Sequence, residues 1–324
     1  MFTRREALRL AVVSAAGAAL VPSVMAQQDD TFFTWKPAAG AKVAFGYGGN
    51  ALVLAGKDAA LLVDCKNAPF GDCLRREAGP ALKHVVNTHH HADHTGGNHA
   101  FTKDIKLIAQ INATPRILGQ MNRYVSQLKE AITQLADAKG PAADQVRAEA
   151  RAVYARVEHL KATDFVPAIT FDTDEKLDVG GIEVNLHHYG PGHTDNDLVV
   201  HVPSKNLLHT GDLLFHQRHP YIDLDGGAST EGWVKNLAKL IALCDAKTVV
   251  VPGHGEITNV EGLKGQVRYF EVAKAAIEKA YKAGKSRKEV AEMSIPELGT
   301  LEGDGIRPIA FGAMYDELKH ANAK

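Results

Sequence analysis

The chain has 324 residues, 45% of which are hydrophobic, and its 37 Lys and Arg residues nearly balance its 38 Asp and Glu residues. A formal net charge of −1 at pH 7 offers no basic surface for nucleic acid, and the hydrophobic content is too high for a disordered chain. Composition therefore predicts a folded protein and disfavours a nucleic-acid partner. The expected partner is a small-molecule substrate.

The N-terminal segment predicts export. Arg4 and Arg5 precede a modestly apolar run from Leu10 to Val24, and Val24-Met25-Ala26 places small residues at the two positions that matter for cleavage. Residues 1–26 are therefore interpreted as a twin-arginine signal peptide that sends the protein to the periplasm. The alternative is a membrane anchor, but the run is shorter than the ~20 residues that span a bilayer. We expect no stable anchor after cleavage and a single domain over residues 27–324.

The first predicted elements of that domain are strands. Residues 50–55 and 59–63 are strand-like runs separated by Gly56-Lys57-Asp58, a pattern typical of a hairpin. Residues 83–87 predict a strand that leads directly into the polar cluster Thr88 to His94. Residues 93–101 then predict a short helix.

A helical hairpin is predicted over about residues 113–162. Apolar side chains recur every three or four positions from Ile117 to Leu135 and again from Val146 to Leu160, with Gly140-Pro141 between the two runs. Three roles remain open for this insertion: packing on itself and on the rest of the domain, a lid beside a site, or the surface of a homodimer.

A second set of strands and helices is predicted after the insertion. The predicted strands are Ile182–Leu186, Leu198–Val202, Asn206–His209 and Thr248–Val251. Amphipathic helices are predicted over about Trp233–Leu243 and Glu261–Ala283.

Histidine and aspartate side chains that can bind metal lie in or directly after these strand-like runs. The run His89-His90-His91-Ala92-Asp93-His94 is followed much later by His193, Asp212 and His254. Zinc accepts neutral imidazole and carboxylate ligands, and a catalytic zinc keeps one position for water. Loops at strand ends can assemble such ligands from distant parts of a chain. The pattern therefore predicts a metal-dependent hydrolase.

From about Asn50 to His254 the chain resembles the metallo-β-lactamase superfamily. That resemblance implies an α/β fold, a four-layer αββα sandwich into which the helical hairpin is inserted, and two Zn²⁺ ions, with iron or manganese as alternatives at the second site. Asp64, which ends a strand-like run, matches a carboxylate that orients a ligand and does not itself bind metal. His90 matches no ligand position. The matching ligands are His89, His91 and His193 for the first zinc, Asp93, His94 and His254 for the second, and Asp212 as the bridge between them.

The resemblance also implies a mechanism. A hydroxide that bridges two metals is the expected nucleophile, and Asp93 is both a ligand and the residue that orients it, so Asp93 is the candidate catalytic residue. The expected reaction opens a cyclic amide, a lactone or an ester, as in a β-lactamase-like metallohydrolase. The aspartate at position 212 leaves a thioesterase or a phosphodiesterase open, and a non-catalytic exported metal-binding module is the alternative of a different class.

The loop after Asp212 supplies the candidate substrate-binding residues His216, Arg218 and Tyr221. Arg218 suits a carboxylate or phosphate, although a solvent-exposed arginine is the ordinary interpretation. Cys65 and Cys73 lie eight positions apart, and whether they form a disulfide is left open by spacing alone.

Overall fold

The computed structural model describes residues 33–134 and 151–322, apart from residues 69, 102, 152–153 and 156–157. The predicted signal peptide and most of the second helix of the predicted hairpin lie outside these residues. The chain divides into two compact units. The first contains residues up to Pro37, Ala41–Phe171 and Val179–Gly181, and the second contains Ala38–Gly40, Asp172–Asp178 and the chain from Ile182 onwards.

Within its described residues, the first unit is built on a seven-stranded mixed sheet with the strands in chain order. Its strands are β1 (Thr34–Ala38), β2 (Ala41–Phe45), β3 (Ala51–Ala55), β4 (Ala60–Val63), β5 (Leu82–Val86), β6 (Lys106–Gln110) and β7 (Ile169–Phe171). β2, β3 and β4 pair antiparallel, as the predicted hairpin requires, whereas β4 to β7 pair parallel. Parallel neighbours need crossover connections, and these are helical. The crossovers contain α1 (Gly71–Ala78), α2 (Ala92–Thr95) and α3 (Ala113–Gln134).

The parallel pairing of β4 with β5 positions the first group of polar residues. Val63 pairs with Val86 at the carboxyl ends of the two strands. The next residue after β4 is Asp64, and the residues after β5 lead to Thr88 and His89. Carboxyl ends of parallel strands meet at one sheet edge, where open α/β sheets place their ligands. The strands can hold this edge rigidly because all four residues of β4 are buried.

The part of the second unit that the structure describes has a five-stranded sheet in the order β12-β11-β10-β9-β8. Its strands are β8 (Asp174–Asp178), β9 (Glu183–His187), β10 (Val199–Val202), β11 (Leu207–His209) and β12 (Val249–Val251). β8 to β11 pair antiparallel and β11 pairs parallel with β12. Strands β9, β11 and β12 therefore run in the same direction, and the loops that follow them leave from one sheet edge. Those loops carry His193, Asp212 and His254.

Helices bury the apolar core of the second unit. They are α4 (Thr230–Leu243), α5 (Val260–Lys282), α6 (Arg287–Glu292) and α7 (Arg307–Ala321). Ser229, Asn259 and Ser286 cap the first three of these helices by accepting backbone N–H bonds. Trp233 is fully buried in a cluster that also contains Phe270 and Phe311.

Most elements predicted from periodicity are confirmed, with shifts of one to three residues at their ends. The predicted helix over residues 93–101 is wrong as one element: α2 ends at Thr95, and a separate 3-10 turn covers Asn98–Ala100. Gly96 and Gly97 separate the two, and a Cβ atom on either would overlap neighbouring backbone. The first helix of the predicted hairpin is confirmed as α3. No helix in the described ranges is long and apolar enough to cross a membrane.

Candidate metal centre

Three histidines and an aspartate of the first unit face one another at the start of α2. Nε2 of His89 lies 3.0 Å from Nδ1 of His91. Nε2 of His94 lies 3.5 Å from a carboxylate oxygen of Asp93, and the rings of His89 and His94 have centroids 4.2 Å apart. His94 is fully buried, whereas 29% of the Asp93 side chain is exposed. Within this unit the structure thus brings together all four ligands that the sequence predicts there.

Asp64 fixes the protonated nitrogen of two of these imidazole rings. Its buried carboxylate lies 2.7 Å from Nδ1 of His94 and accepts the backbone N–H and the hydroxyl of Thr88, both at 2.7 Å. Since Thr88 donates its only hydroxyl proton to Asp64, its oxygen must accept from Nδ1–H of His89 at 3.1 Å. In their neutral forms both rings therefore carry the lone pair on Nε2, the nitrogen that faces the other ligands. These hydrogen bonds have the geometry that the orienting role predicted for Asp64 requires. Asp64 acts on His94 directly and on His89 through the Thr88 hydroxyl.

A glycine pair packs against the same ligands. The N–H of Gly49 donates to the backbone carbonyl of Asp93 at 3.1 Å. A Cβ atom on Gly49 would overlap the His94 ring, and one on Gly48, whose φ is +132°, would meet the Asp93 carbonyl. Only glycine fits this close approach. In the sequence, the two adjacent glycines just before a strand are the pattern that could have indicated this close approach.

Lys66 is a fully buried lysine close to this group. Its Nζ donates to the carbonyl of Ala44 at 2.7 Å and lies 5.5 Å from the centre of the Phe33 ring. Burial lowers the pKa of Lys66 to about 7, and the charges of Asp93 and Asp64 oppose that shift. Asp64 and Lys66 both have left-handed backbone conformations, with φ of 61° and 64°.

In the second unit, Asp212 lies between two histidines. One of its carboxylate oxygens is 3.4 Å from Nε2 of His193 and 3.4 Å from Nε2 of His254. Nδ1–H of His193 donates to the backbone carbonyl of Tyr221 at 2.8 Å, which places the lone pair of the neutral ring on Nε2. The structure therefore brings together the three ligands predicted in this unit.

Packing holds these three side chains in place. The His254 ring stacks on Phe215 at 5.1 Å, and the His193 ring lies edge-on to Trp233 at 5.2 Å. A Cβ atom on Gly253 would overlap the Asp212 carboxylate. Glycine in the segment Gly253-His254 thus makes room for the neighbouring aspartate.

The donor set fits a metal ion. A tetrahedral zinc ion with bonds of about 2.0–2.2 Å keeps its ligand atoms roughly 3.3–3.6 Å apart. The distances from Asp212 to both histidines and from Asp93 to His94 fall in this range. A nitrogen lone pair facing a carboxylate at 3.4 Å is too distant for a good hydrogen bond and repulsive without a cation between the two. Imidazole and carboxylate suit zinc but also iron and manganese.

A model of the metallo-β-lactamase superfamily matches residues 44–254, which is more than half of the chain. The chain belongs to the metallo-β-lactamase superfamily. The resemblance seen in the ligand motifs is thereby confirmed. Membership in this family and the His and Asp groups support a hydrolase with a metal-ion cofactor.

Solved structures of the family share the fold. A metallo-β-lactamase family protein from Thermus thermophilus matches with a TM-score of 0.59 at 16% identity, over 90% of this chain and 93% of that one. The DIM-1 metallo-β-lactamase matches with a TM-score of 0.53 at 20% identity, over 74% of this chain and 98% of that one. These likenesses confirm the predicted metallo-β-lactamase fold class, which is α/β.

Curated relatives match over shorter stretches. An uncharacterized protein of Mycobacterium tuberculosis is 39% identical over 98 residues, which are 28% of this chain and 43% of that protein. The probable metallo-hydrolase YqjP of Bacillus subtilis is 26% identical over 190 residues, which are 56% of this chain and 57% of that protein. The matches thus span less than two thirds of the length of these family members.

The predicted substrate-binding residues differ in their surroundings. Arg218 forms an ion pair with Glu302 at 2.8 Å, so its charge is already balanced. Nδ1–H of His216 donates to the carbonyl of Glu256 at 2.9 Å. The backbone carbonyl of Tyr221 orients the candidate ligand His193, a role the sequence did not reveal. Burial and the charges of Asp223 and Asp225 raise the pKa of the Tyr221 phenol.

The cysteines carry free thiols. Cys65, which follows Asp64 in the sequence, is buried. Cys73 on α1 is half-buried, and the Arg76 guanidinium donates to its sulfur at 3.4 Å. The disulfide that spacing left open is not formed in this structure. Burial raises the pKa of Cys65 well above its ordinary value, which keeps this thiol protonated.

Proposed function

We propose that this protein is a dinuclear zinc hydrolase that opens a cyclic amide, a lactone or an ester of a small molecule. The first zinc is assigned to His89, His91 and His193, and the second to Asp93, His94 and His254. The position of Asp212 carries the proposal, because one of its oxygens is equidistant, at 3.4 Å, from one histidine of each set. A carboxylate so placed suits a bridge between two cations.

When bound, the zinc ions supply Lewis acidity and lower the pKa of a bound water towards neutrality. The side chains contribute orientation and charge. Asp64 and Thr88 form hydrogen bonds with Nδ1 of His94 and His89, so Nε2 of each neutral ring is the atom left for the metal. The exposed part of the Asp93 carboxylate can accept a hydrogen bond from the attacking water and fix its direction. Because burial and nearby carboxylates raise its pKa, the Tyr221 phenol stays protonated at neutral pH.

Four substrate classes test the reaction. Zinc-loaded protein is assayed with a chromogenic cephalosporin, an acyl-homoserine lactone, a thioester and bis-nitrophenyl phosphate. Hydrolysis of the cephalosporin or the lactone supports the proposal. Hydrolysis of the thioester or the phosphodiester alone favours the thioesterase or phosphodiesterase, which the carboxylate at position 212 leaves as the second candidate. A protein that binds two metals and hydrolyses none of these compounds favours the non-catalytic metal-binding module.

Export to the periplasm is part of the proposal and rests on the N-terminal sequence alone. The paired arginines Arg4 and Arg5 and the small residues before Gln27 support it. The periplasmic fraction should contain a chain whose mass corresponds to a start at Gln27. Replacing both arginines by lysine should keep the full-length chain in the cytoplasm, and unchanged export of that variant would refute the twin-arginine assignment.

A further inference from the structure

The helix that begins the insertion contacts the ligand segment of the first unit. Along α3 the side chains of Ala113, Ile117, Met121 and Tyr124 are buried and form an apolar cluster with neighbouring elements of the same unit. Ala92, which separates His91 from Asp93 in the sequence, packs against this cluster. The insertion is therefore anchored beside the metal ligands.

One polar side chain of α3 reaches the ligand segment itself. Nε2 of Gln120 donates to the backbone carbonyl of His90 at 2.9 Å. Gln120 lies three residues after Ile117 and four before Tyr124, so it is on the same helix face as these buried residues and is itself half-buried. A carbonyl oxygen only accepts hydrogen bonds, so the amide nitrogen of Gln120 must face it.

The His90 carbonyl belongs to the peptide that joins His90 to His91. It also accepts the Thr95 hydroxyl at 3.1 Å, and that hydroxyl lies 2.9 Å from the His91 carbonyl. Thr95 is close in sequence to the ligands, whereas Gln120 comes from 30 residues away. A rotation of this peptide would move the His91 ring, whose Nδ1 is 3.0 Å from Nε2 of His89.

We propose that Gln120 is a positioning residue for the metal ligand His91, through its hydrogen bond to the His90 carbonyl. The inference rests on the proposed function, because it takes His91 as a ligand of the first zinc. It assigns to the insertion a role in shaping the metal centre. A neutral amide suits this role because it supplies a donor without adding charge next to the ligands.

Gln120→Glu tests the proposal, because it keeps the side-chain shape and replaces the donor by an acceptor that repels the carbonyl. Partners that orient a metal ligand typically contribute 10- to 100-fold to metal affinity. We expect the Kd of the metal ion at the first site, the one assigned to His89, His91 and His193, to rise by roughly 10-fold. We also expect the visible absorption bands of the cobalt-substituted protein to change, since they report ligand geometry.

Asn122→Asp is the matched control, because it makes the same amide-to-acid change on an exposed position of the same helix. The Asn122→Asp protein should have the same metal affinity and the same cobalt absorption spectrum as the parent. Gln120→Met, which removes the donor without adding charge, guards against misfolding of the glutamate variant and should weaken metal binding in the same direction by a smaller factor.

Two results overturn the inference: folded Gln120→Glu and Gln120→Met proteins with the parent's Kd and cobalt spectrum, or an equal change in Asn122→Asp. Neither readout uses hydrolysis. If none of the four substrates is hydrolysed, the proposed reaction is refuted, but the comparison of metal affinity and cobalt spectra between the Gln120 variants and the parent is unaffected. Conversely, normal metal binding in both Gln120 variants refutes the positioning role even when the protein is an active hydrolase.

Discussion

At the scale of single residues, hydrogen bonds to the distal ring nitrogens decide which imidazole atoms can bind metal. Asp64 acts on His94 directly and on His89 through the Thr88 hydroxyl, and the Tyr221 carbonyl does the same for His193. The candidate ligands could be selected from the sequence because their motifs are local, and the structure brings them together within each unit. The orienting groups Thr88 and Tyr221 could not, because their roles depend on which way a hydroxyl and a backbone carbonyl point.

The role of Arg218 likewise could not be predicted from local sequence. The sequence indicates a cation that could bind an anionic substrate, but its partner Glu302 lies in a distant loop of the second unit. No local pattern connects the two residues. Only the fold shows that the charge is balanced.

Asp93→Ala should lower kcat by roughly 10³-fold or more, because the carboxylate is assigned both to the second metal and to the attacking water. The fold should survive because this side chain is partly exposed and not part of an apolar cluster. Steady-state kinetics and circular dichroism check both statements. Asp104→Ala, at an exposed position of the same unit, is the control and should keep the parent's activity. Near-normal turnover of Asp93→Ala with two bound metals would refute the assignment.

Lys66→Met should change how stability depends on pH. The folded-state pKa of Lys66, about 7, lies below its ordinary value of 10.5, so between these values the unfolded chain binds more protons than the folded one. The free energy of unfolding of the parent therefore rises with pH in this window, and the penalty for burying the charge is fully present below pH 7. Relative to Lys66→Met, the metal-free parent should gain up to about 1.4 kcal/mol per pH unit.

Urea unfolding at pH 7, 8 and 9 measures this difference. Lys83→Met, at an exposed position on β5, should show a constant difference from the parent over the same range. A constant difference for Lys66→Met as well would show that the lysine is not titrated by folding.

At the scale of elements, strand direction explains why the ligands meet within each unit. Asp212 comes three residues after His209 and His254 three residues after Val251, and these two strand residues are paired in the parallel β11–β12 ladder. Both strands have apolar residues that made them predictable. Strands β1, β2 and β6 to β8 were not predicted; β7 has only three residues, and β8, Asp174–Asp178, is mostly charged. Helix α7 was missed because its buried residues, Ala310 to Met314, are consecutive and lack a helical period.

Gly253→Ala should lower the stability of the protein and weaken metal binding at the loop that follows β12. The added Cβ would overlap the Asp212 carboxylate and lie 2.7 Å from backbone of Gly211, which cannot move away easily. We expect a loss of roughly 1–3 kcal/mol in the free energy of unfolding and weaker metal retention. Denaturant unfolding and metal analysis after dialysis measure the two effects.

Gly265→Ala provides the matched control. Gly265 is exposed on α5, and its Cβ would meet open space. Alanine there should stabilise the protein by about 0.5–1 kcal/mol through helix propensity and leave metal retention unchanged. If Gly253→Ala behaves like this control, Asp212 has more room than the structure indicates.

At the scale of the whole molecule, the family and the fold are shown by the relatives of the chain, whereas its export is a prediction from sequence. Balanced charge and hydrophobic content predicted a folded protein but carried no information about the reaction. The bond that is cut depends on side chains around the metals, and the family contains too many substrates for its motifs to select one. Signal cleavage and the single domain over residues 27–324 remain predictions, and a homodimer surface remains one of the open roles of the insertion.

Two metal ions should bind per chain, as the two ligand triples and Asp212 require. A ligand that binds only the folded state stabilises it by about 2.7 kcal/mol at 100 times its Kd. We expect zinc at that excess to raise the Tm of the chelator-treated protein by roughly 5–10 °C. Elemental analysis measures the number of metal ions per chain, and calorimetry measures the change in Tm. One tightly held ion at saturation, or a Tm that zinc leaves unchanged, would contradict the dinuclear assignment.

The left-handed backbone at Asp64 and Lys66 sets a compromise at this turn. Side chains other than glycine lose about 1–2 kcal/mol per residue in that conformation, and lysine gains nothing from it locally. Asp64→Gly would relax the backbone but remove the carboxylate that orients two histidines. Selection for higher thermal stability at this turn should therefore yield variants with a larger free energy of unfolding and weaker metal binding.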